Sequence, residues 1–161
     1  MSHSIPSRPN TTLERAHIAI VASLYNQDYV DGMLESATDE LVEIAPHASI
    51  AVYRVPGAFE IPVTVERVLR DSHADAVIAL GLILRGETEH GDLVAAAVTD
   101  GLQKIAISHG TPVIHEVLIV ENDEQAIARC LGEEINRGTE AARVAVNMIS
   151  LFSKMSAAKP D

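Results

Sequence analysis

Lysine is scarce in this 161-residue chain, and acidic residues outnumber basic ones. Twelve Lys and Arg stand against 23 Asp and Glu, so the formal net charge is −11 at pH 7. A nucleic-acid-binding surface needs clustered cations that displace counterions from phosphates, and an anionic membrane surface repels a chain of this charge. We therefore expect no nucleic-acid partner and no membrane partner. A small anionic substrate is still compatible with this net charge, because one or two arginines and a helix N-terminus can hold a phosphate.

Cysteine and aromatic residues are also rare. The single Cys130 excludes an intramolecular disulfide and a thiolate zinc site, and we interpret it as a small buried hydrophobic residue. Aromatic residues make up 3% of the chain and tryptophan is absent, although hydrophobic residues as a whole reach 47%. The core must therefore consist of Ala, Val, Ile and Leu, which favours an α/β or all-α domain over a β-sandwich.

Long apolar runs are missing as well. The longest, around residues 76–84, is far shorter than the roughly 20 residues that span a bilayer. Residues 1–15 contain no apolar core of a secretory signal. From these absences and the single cysteine we expect a cytoplasmic protein.

The chain does contain an alternation of short apolar runs and amphipathic helical patterns. The apolar runs predict four strands, at residues 17–22, 49–55, 74–84 and 112–120. The first helical pattern begins at a cap, Asn26 or Asp28, and the next two cover residues 59–69 and 92–109. A fourth begins at residue 123, and a fifth follows a break at 136–138 and reaches Phe152. This order predicts one α/β domain, a doubly wound four-stranded parallel sheet with helices on both faces. We assign residues 1–16 to an N-terminal arm, 17–152 to the domain and 153–161 to a C-terminal tail.

Several familiar motifs are absent from the sequence. There is no phosphate-binding P-loop, no G-x-G-x-x-G after the first strand, no G-x-S-x-G elbow and no cluster with metal-ligand spacing. We therefore expect chemistry without a metal, a cofactor or a covalent nucleophile. Ligands of doubly wound sheets bind beyond the carboxyl ends of the strands, which predicts a site in the loops at 23–26, 55–60, 81–90 and 120–122.

The loop at residues 85–92 is the richest of these in candidate groups. Backbone N–H groups at a helix N-terminus form an anion pocket, Gly86 lets a ligand approach the backbone, and Thr88 adds a hydroxyl donor. His90 is the one group in this loop that exchanges protons near neutral pH. The residues alone are equally compatible with a solvated turn whose Thr and acidic side chains cap the next helix.

Four other residues have two interpretations each. Glu60 either accepts hydrogen bonds from sugar-like hydroxyls or, as is more usual, is an acidic residue of a first helical turn. Tyr25 either stacks on a planar ring or covers the sheet edge. Arg129 is either a functional cation or, as is more usual, an arginine of a solvated helix face. His115, inside an apolar run, is either catalytic or, more often, a core or interface histidine.

Three segments together resemble the lumazine synthase family, whose members catalyse the penultimate step of riboflavin biosynthesis. They are VPGAFEIP at 55–62, ALGLILRGETEH at 79–90 and ENDEQAIAR at 121–129. They occur in the family's order and spacing, and Asn136-Arg137-Gly138 resembles its turn before the last helix. The likeness runs from about His17 to Leu151 and implies a three-layer, flavodoxin-like fold.

The resemblance implies a reaction between 5-amino-6-(D-ribitylamino)uracil and 3,4-dihydroxy-2-butanone 4-phosphate. Imine formation, loss of phosphate and ring closure give the lumazine. These steps need proton transfers, positioning and a phosphate cradle, and neither a metal nor a redox cofactor.

The resemblance also implies roles for individual residues. His90 would transfer protons, and Glu87, Thr88 and Arg129 would hold the butanone phosphate. The residues that would bind the pyrimidine and its ribityl chain are Tyr25, Asn26, Ala58, Phe59, Glu60, Leu82, Ile83, Leu84, His115 and Arg137. Two of them depart from the family's pattern: His115 replaces the usual Phe, which implies a more polar pyrimidine pocket, and Arg137 replaces a common Lys.

The family builds its sites between adjacent subunits of a pentamer, sometimes stacked into decamers or sixty-subunit shells. The resemblance therefore implies a homo-oligomer in which His115 and Arg129 serve the neighbour's pocket. A non-catalytic flavin- or lumazine-binding assembly protein on the same scaffold is the alternative, and a riboflavin synthase of the archaeal type is less favoured because it condenses two lumazines. The presence of His90, Thr88 and Arg129 favours catalysis, because a pure binding protein does not need all three.

Overall fold

The computed structural model describes residues 6–10, 13 and 15–158, and strands alternate with helices along them. The strands are β1 (Ala16–Ser23), β2 (Ala48–Val55), β3 (Ala76–Leu84) and β4 (Val113–Val120). The helices are α1 (Gln27–Ile44), α2 (Ile61–Asp71), α3 (His90–His109), α4 (Asp123–Cys130) and α5 (Arg137–Ala157), and a 3-10 turn (Ala58–Glu60) precedes α2. The predicted alternation is confirmed.

The strands form one parallel sheet in the order β2-β1-β3-β4. Every residue of the central strand β1 except His17 is buried, and so are residues 76–82 of β3. Strands covered on both faces need apolar side chains in both directions, which is why they appear in the sequence as continuous apolar runs. The chain leaves β1 toward one edge and β3 toward the other, so the loops after these two strands diverge and open a crevice.

Helices cover both faces of the sheet, as predicted. On one face Met33 and Leu41 of α1 pack with Ala142 and Val146 of α5 against the strands. On the other face α2 and α3 pack through residues such as Val65 and Leu102. The molecule therefore has three layers with a core on each side of the sheet.

The junction between α4 and α5 is fixed by Asn136. Its side-chain oxygen accepts a hydrogen bond from Gly138 N at 2.9 Å, and its Nδ2 donates to Cys130 O at 2.9 Å. Cys130 is fully buried, and burial raises the pKa of its thiol to about 12. The interpretation of Cys130 as a small buried residue is confirmed.

The described part of the N-terminal segment lies against α1 and α5. The buried carboxylate of Glu40 accepts hydrogen bonds from Arg8 at 2.8 and 2.9 Å and from Arg143 at 2.7 Å. Burial opposes ionisation of Glu40, but the two guanidinium groups outweigh it and the net pKa is lowered. Arg143 also donates to Pro6 O at 2.7 Å. The contacts of Pro6 with Arg143 and of Arg8 with Glu40 together hold residues 6–8 on the domain.

One boundary prediction was wrong at the C-terminus. The predicted tail begins at Ser153, whereas α5 continues to Ala157. Its last turns are exposed and lack the apolar spacing that marks a buried face, but Lys154 and Met155 favour the helix intrinsically and Lys154 suits a helix C-terminus. The rest of the predicted arm and tail, residues 1–5, 11, 12, 14 and 159–161, lies outside the described residues. Within the described part, no helix is long and apolar enough to cross a membrane.

Candidate functional site

A cleft of about 870 Å³ opens at the carboxyl ends of β1, β2 and β3. It brings together most of the predicted site residues: Tyr25, Asn26, Ala58, Phe59, Glu60, Leu82, Ile83, Leu84, Thr88 and His90. Gly57, Gly86, Gly91, Leu93, Val94 and Ala97 complete its lining. Leu93, Val94 and Ala97 were not predicted as site residues, because the predicted helix began at Asp92. They lie three, four and seven residues after His90, which places them on one helix face with it, and this spacing is the signal that would have found them.

The turn between β1 and α1 is held by Asn26. This residue has a left-handed backbone (φ 57°), which asparagine tolerates better than most residues. Its Nδ2 donates to Leu82 O at 2.8 Å, so the turn is fastened to the end of β3. Asn26 stands at the cap position of α1, but its side chain forms no capping hydrogen bond. Of the two predicted caps, Asn26 or Asp28, Asn26 thus occupies the N-cap position, while its amide is used for the neighbouring strand.

The segment after β2 brings a carboxylate next to an aromatic ring. Glu60 Oε2 accepts from Gly57 N at 2.9 Å, and a Cβ at residue 57 would lie 3.0 Å from both Glu60 Oε2 and the Tyr25 ring. Glycine at position 57 thus leaves room for both side chains to approach this backbone. The other carboxylate oxygen of Glu60 receives no hydrogen bond from the described residues. Tyr25 and Phe59 are 70% and 62% exposed, so both rings stand on the cleft rim with a face in water.

The loop from Arg85 to Glu89 contributes Gly86 and Thr88 to the lining of the cleft near α3. Glu87, Thr88, Glu89 and His90 are exposed, and His90 is the first residue of α3. The first turn of a helix leaves backbone N–H groups without intrahelical partners, and these point to the side from which an anion approaches. The same loop carries Glu87 and Glu89, so a phosphate bound here needs a further cation.

Arg129 and His115, both assigned to substrate contacts, do not line this cleft. Arg129 lies in the last turn of α4, half-buried, where its Nη1 donates to Gln125 O at 3.0 Å. His115 lies on the edge strand β4, with Nε2 2.8 Å from Thr99 Oγ1 and Nδ1 accepting from Val117 N at 3.1 Å. A nitrogen that accepts from an N–H carries no proton, so we assign a neutral ring protonated at Nε2. Burial lowers the pKa of His115 in the same sense.

The engaged nitrogens of His115 bear on the expected polar character of the pyrimidine pocket. Both polar atoms of the ring are used inside the chain. What remains for a ligand is the uncharged plane and its carbon edge, which resembles a phenylalanine ring more than a free histidine does.

Arg137 and Glu87 are the other two assigned residues outside the cleft lining. Arg137 is buried at the start of α5 and forms an ion pair with Glu140. Glu87 lies in the exposed loop between Gly86 and Thr88, which do line the cleft. Within the described residues, no group of three or more His, Cys, Asp or Glu side chains is arranged to hold a metal ion.

Glu116 is a titratable residue that the sequence analysis did not single out. The pKa of its carboxyl is raised to about 7, chiefly by burial and also by the charge of Glu140, while Arg137 acts in the opposite direction. A charged residue in the middle of the apolar run 113–120 is the signal that was available.

Replacing Glu116 with glutamine is expected to flatten the dependence of stability on pH. The carboxyl pKa is higher in the folded chain, so its contribution to stability is complete below about pH 4.5 and is lost as the pH rises through about 7. At about pH 8.5 the variant should exceed the wild type in unfolding free energy by about 2 kcal/mol, and near pH 5 by little. Denaturant unfolding at both pH values measures the difference. Glu134→Gln, at an exposed position, is the control, and an equal pH dependence of the wild type and Glu116→Gln would contradict the assignment.

Comparison with known proteins gives a consistent set of relatives. The family model described as 6,7-dimethyl-8-ribityllumazine synthase matches residues 15–153. A curated protein of that name from Halorhodospira halophila is 41% identical over 146 residues, which is 90% of this chain and 94% of the relative. Proteins of the same name from Chlorobium phaeovibrioides and Paraburkholderia phymatum are 39% and 37% identical, over 87% and 89% of this chain and 91% and 82% of their own lengths.

Proposed function

The chain belongs to the 6,7-dimethyl-8-ribityllumazine synthase family, and on that premise we propose that it is a transferase of riboflavin biosynthesis. The reaction condenses 5-amino-6-(D-ribitylamino)uracil with 3,4-dihydroxy-2-butanone 4-phosphate and yields 6,7-dimethyl-8-ribityllumazine, phosphate and water. One observation carries the proposal: sheet-top loops from three separate parts of the chain surround a single cleft of about 870 Å³. That volume lies in the range of small-molecule sites.

The ribitylaminouracil is proposed to lie between the end of β3 and the rim of the cleft. Tyr25 has a free ring face on which a pyrimidine can stack. Backbone groups of Leu82, Ile83 and Leu84 offer hydrogen bonds to the ring edge, while the side chain of Asn26 fastens the opposite wall to Leu82. Ala58, Phe59 and Glu60 line the path of the ribityl chain, where the second carboxylate oxygen of Glu60 accepts from hydroxyls.

The butanone phosphate is proposed to lie over Gly86, Glu87 and Thr88, with its phosphate at the N-terminus of α3. Unpaired N–H groups and the helix dipole favour an anion there. The acidic residues of the loop still call for a cation, and Arg129 supplies none from its place on α4 of the same chain. We therefore propose that Arg129 reaches the cleft of an adjoining copy, where its planar guanidinium pairs with phosphate oxygens.

This arrangement needs at least two copies of the chain, and the assembly we propose is a homo-oligomer, a pentamer or a multiple of pentamers. Leu93 and Ile107 on α3 are 67% and 71% exposed in the single chain, and Val63 on α2 is 68% exposed. Large apolar side chains with this much exposure are typical of surfaces covered by another chain. His115, which does not line the cleft of its own chain, would also meet substrate through an adjoining copy. The buried Arg137 instead pairs with Glu140.

The chemistry asks for positioning and proton transfers. The amine of the uracil adds to the ketone and water leaves to form an imine; removal of a proton then expels phosphate. The ribitylamino nitrogen then adds to the remaining carbonyl, and loss of a second water closes the ring. His90, on the rim beside the phosphate loop, is proposed to move these protons. Because every step is an addition, an elimination or a proton transfer, we propose no metal and no redox cofactor. Cytoplasm is the proposed location, since both substrates are polar and one is phosphorylated.

A steady-state assay with both substrates tests the function directly. The lumazine chromophore and released phosphate are followed together, against the uncatalysed reaction of the same mixture. Equal rates of appearance above that background establish the transferase. Binding of the lumazine without turnover would instead support the non-catalytic binding protein.

Replacing Arg129 with alanine is expected to raise KM for the butanone phosphate by about 30-fold and KM for the uracil by less than about twofold. Loss of a charge-assisted contact to phosphate penalises only the substrate that carries it. Steady-state kinetics with each substrate varied in turn measure the split. Arg67→Ala is the control, because Arg67 pairs with Asp71 on the exposed face of α2. Equal effects on both substrates would contradict the phosphate assignment.

The same variant tests whether Arg129 acts on an adjoining copy. Subunits that carry Arg129→Ala are assembled with subunits that carry His90→Ala. If the two side chains belong to different copies at one site, some mixed sites contain both native residues and activity exceeds that of either variant alone. If the activity of the mixture equals only the sum of its two components, each site takes Arg129 and His90 from the same chain.

A further inference from the structure

Arg85 is the first residue after β3 and does not line the cleft. Its backbone N donates to Val120 O at 2.9 Å, which extends the pairing of β3 and β4 by one residue. Its guanidinium reaches in two directions. Nη2 donates to Asp92 Oδ1 at 2.5 Å in the first turn of α3, and Nη1 donates to the carboxylate of Glu121 at the end of β4.

The contact with Glu121 continues into α4. Glu121 N donates to Gln125 Oε1 at 3.1 Å, and Gln125 O accepts from Arg129 Nη1 at 3.0 Å. Asn122 Oδ1 accepts from Gln125 N at 3.0 Å, so this turn of the helix is held from both sides. A continuous series of hydrogen bonds therefore links the cleft loop to the arginine proposed to bind phosphate.

The loop has little else to hold it. Among the side chains of residues 85–89, Arg85 alone forms hydrogen bonds with described residues. Gly86, Glu87, Thr88 and Glu89 are exposed. A short exposed segment without packing keeps its shape only through the contacts at its ends, and ordering it on binding costs free energy.

We infer that Arg85 is a positioning residue, whose guanidinium joins Asp92 to Glu121 and so holds the loop at 85–89 in the shape that receives an anion. This inference rests on the proposed function only for the identity of that anion. The planar fork of arginine suits the task, because it presents separate N–H groups to two carboxylates at once. Lysine, with a single ammonium group, holds one of them well.

The loop itself gives the first test, and it needs no substrate. Hydrogen exchange is measured by mass spectrometry on peptides that cover residues 84–94 of the free protein. Leu93 N, which donates to Glu89 O at 3.1 Å, reports on the start of α3, and Arg85 N reports on the end of β3. Arg85→Ala is expected to speed exchange here about fivefold to tenfold, and Arg85→Lys to give a smaller increase.

Arg67→Ala is the matched control, because it removes an arginine that pairs with a carboxylate on α2, away from the cleft. Its exchange at residues 84–94 should equal that of the wild type. Unchanged exchange in Arg85→Ala would overturn the inference whatever the enzyme's activity. Absence of turnover in the wild type, by contrast, would overturn the proposed function and leave this test intact.

Kinetics separate positioning from direct contact with the phosphate. Arg85→Ala is expected to raise KM for the butanone phosphate about tenfold and KM for the uracil less than about twofold, with partial rescue in Arg85→Lys. Asp92→Ala combined with Glu121→Ala leaves the guanidinium in place without its two partners. Positioning requires that this pair of changes also raises KM, and that adding Arg85→Ala to it has no further effect. Direct contact would be shown instead if the Asp92→Ala, Glu121→Ala double variant kept the wild-type KM for the butanone phosphate. A further large rise in KM on adding Arg85→Ala would show the same.

Discussion

Turnover falls by up to about 10²-fold when His90 is replaced with alanine, if the imidazole moves protons as proposed. A general acid or base contributes about 10² to 10⁴ to a rate, and the lower end applies here because His90 is exposed and water can exchange protons with the substrate amine. The KM of each substrate should change little, since the phosphate and pyrimidine contacts are made by other groups. The measurement is kcat at saturating concentrations of both substrates.

Added imidazole provides a second readout for this variant. The rim of the cleft is open to solvent at position 90, so a small base in the buffer should restore part of the lost rate. His47→Ala is the control, because His47 is exposed in the turn before β2, at the opposite end of the sheet. An unchanged kcat in His90→Ala would remove this residue from the mechanism.

Replacing Gly138 with alanine should have the largest effect on stability. A Cβ at this position would lie 1.9 Å from Met33 O, so α5 must move away from α1 to accept it. We expect a loss of about 3 kcal/mol in unfolding free energy, since overpacking against backbone cannot be relieved by a side-chain rotation. Intrinsic helix propensity predicts the opposite sign, a gain of about 1 kcal/mol for alanine over glycine within a helix.

Denaturant unfolding and soluble yield measure the outcome for Gly138→Ala. Gly86→Ala is the control for stability, because a Cβ at residue 86 meets nothing within 4 Å. Equal stability of Gly138→Ala and the wild type would mean that α1 and α5 do not approach as closely as the structure has them.

The fold was predictable because its signals are local and periodic. β1 and β3 are buried on both faces, so each appears as an uninterrupted apolar run. Prediction was weaker where a helix is exposed and burial leaves no apolar pattern in its sequence. The last turns of α5 are exposed, and the sequence pattern therefore ended the helix at Phe152 although the backbone continues to Ala157.

The site was predictable as a set of loops but not as a set of contacts. The resemblance identified the segments, and the topology explains why those from β1, β2 and β3 share one cleft. The contacts of Arg85 with Glu121 and of His115 with Thr99 join residues far apart in sequence, and no periodicity of apolar residues predicts them. The same holds for Glu116, whose pKa depends on how α5 covers β4.

The buried thiol of Cys130 has a practical consequence. Alkylating reagents attack the thiolate, and in the folded chain this group is both inaccessible and, with a pKa of about 12, almost entirely protonated. The end of α4 packs so closely on α1 that a Cβ at Gly32 would lie 2.8 Å from Cys130 O. Labelling of the unaltered protein therefore has to wait until α4 lifts from α1. The rate at which Cys130 is alkylated in the unaltered protein therefore reports on that opening.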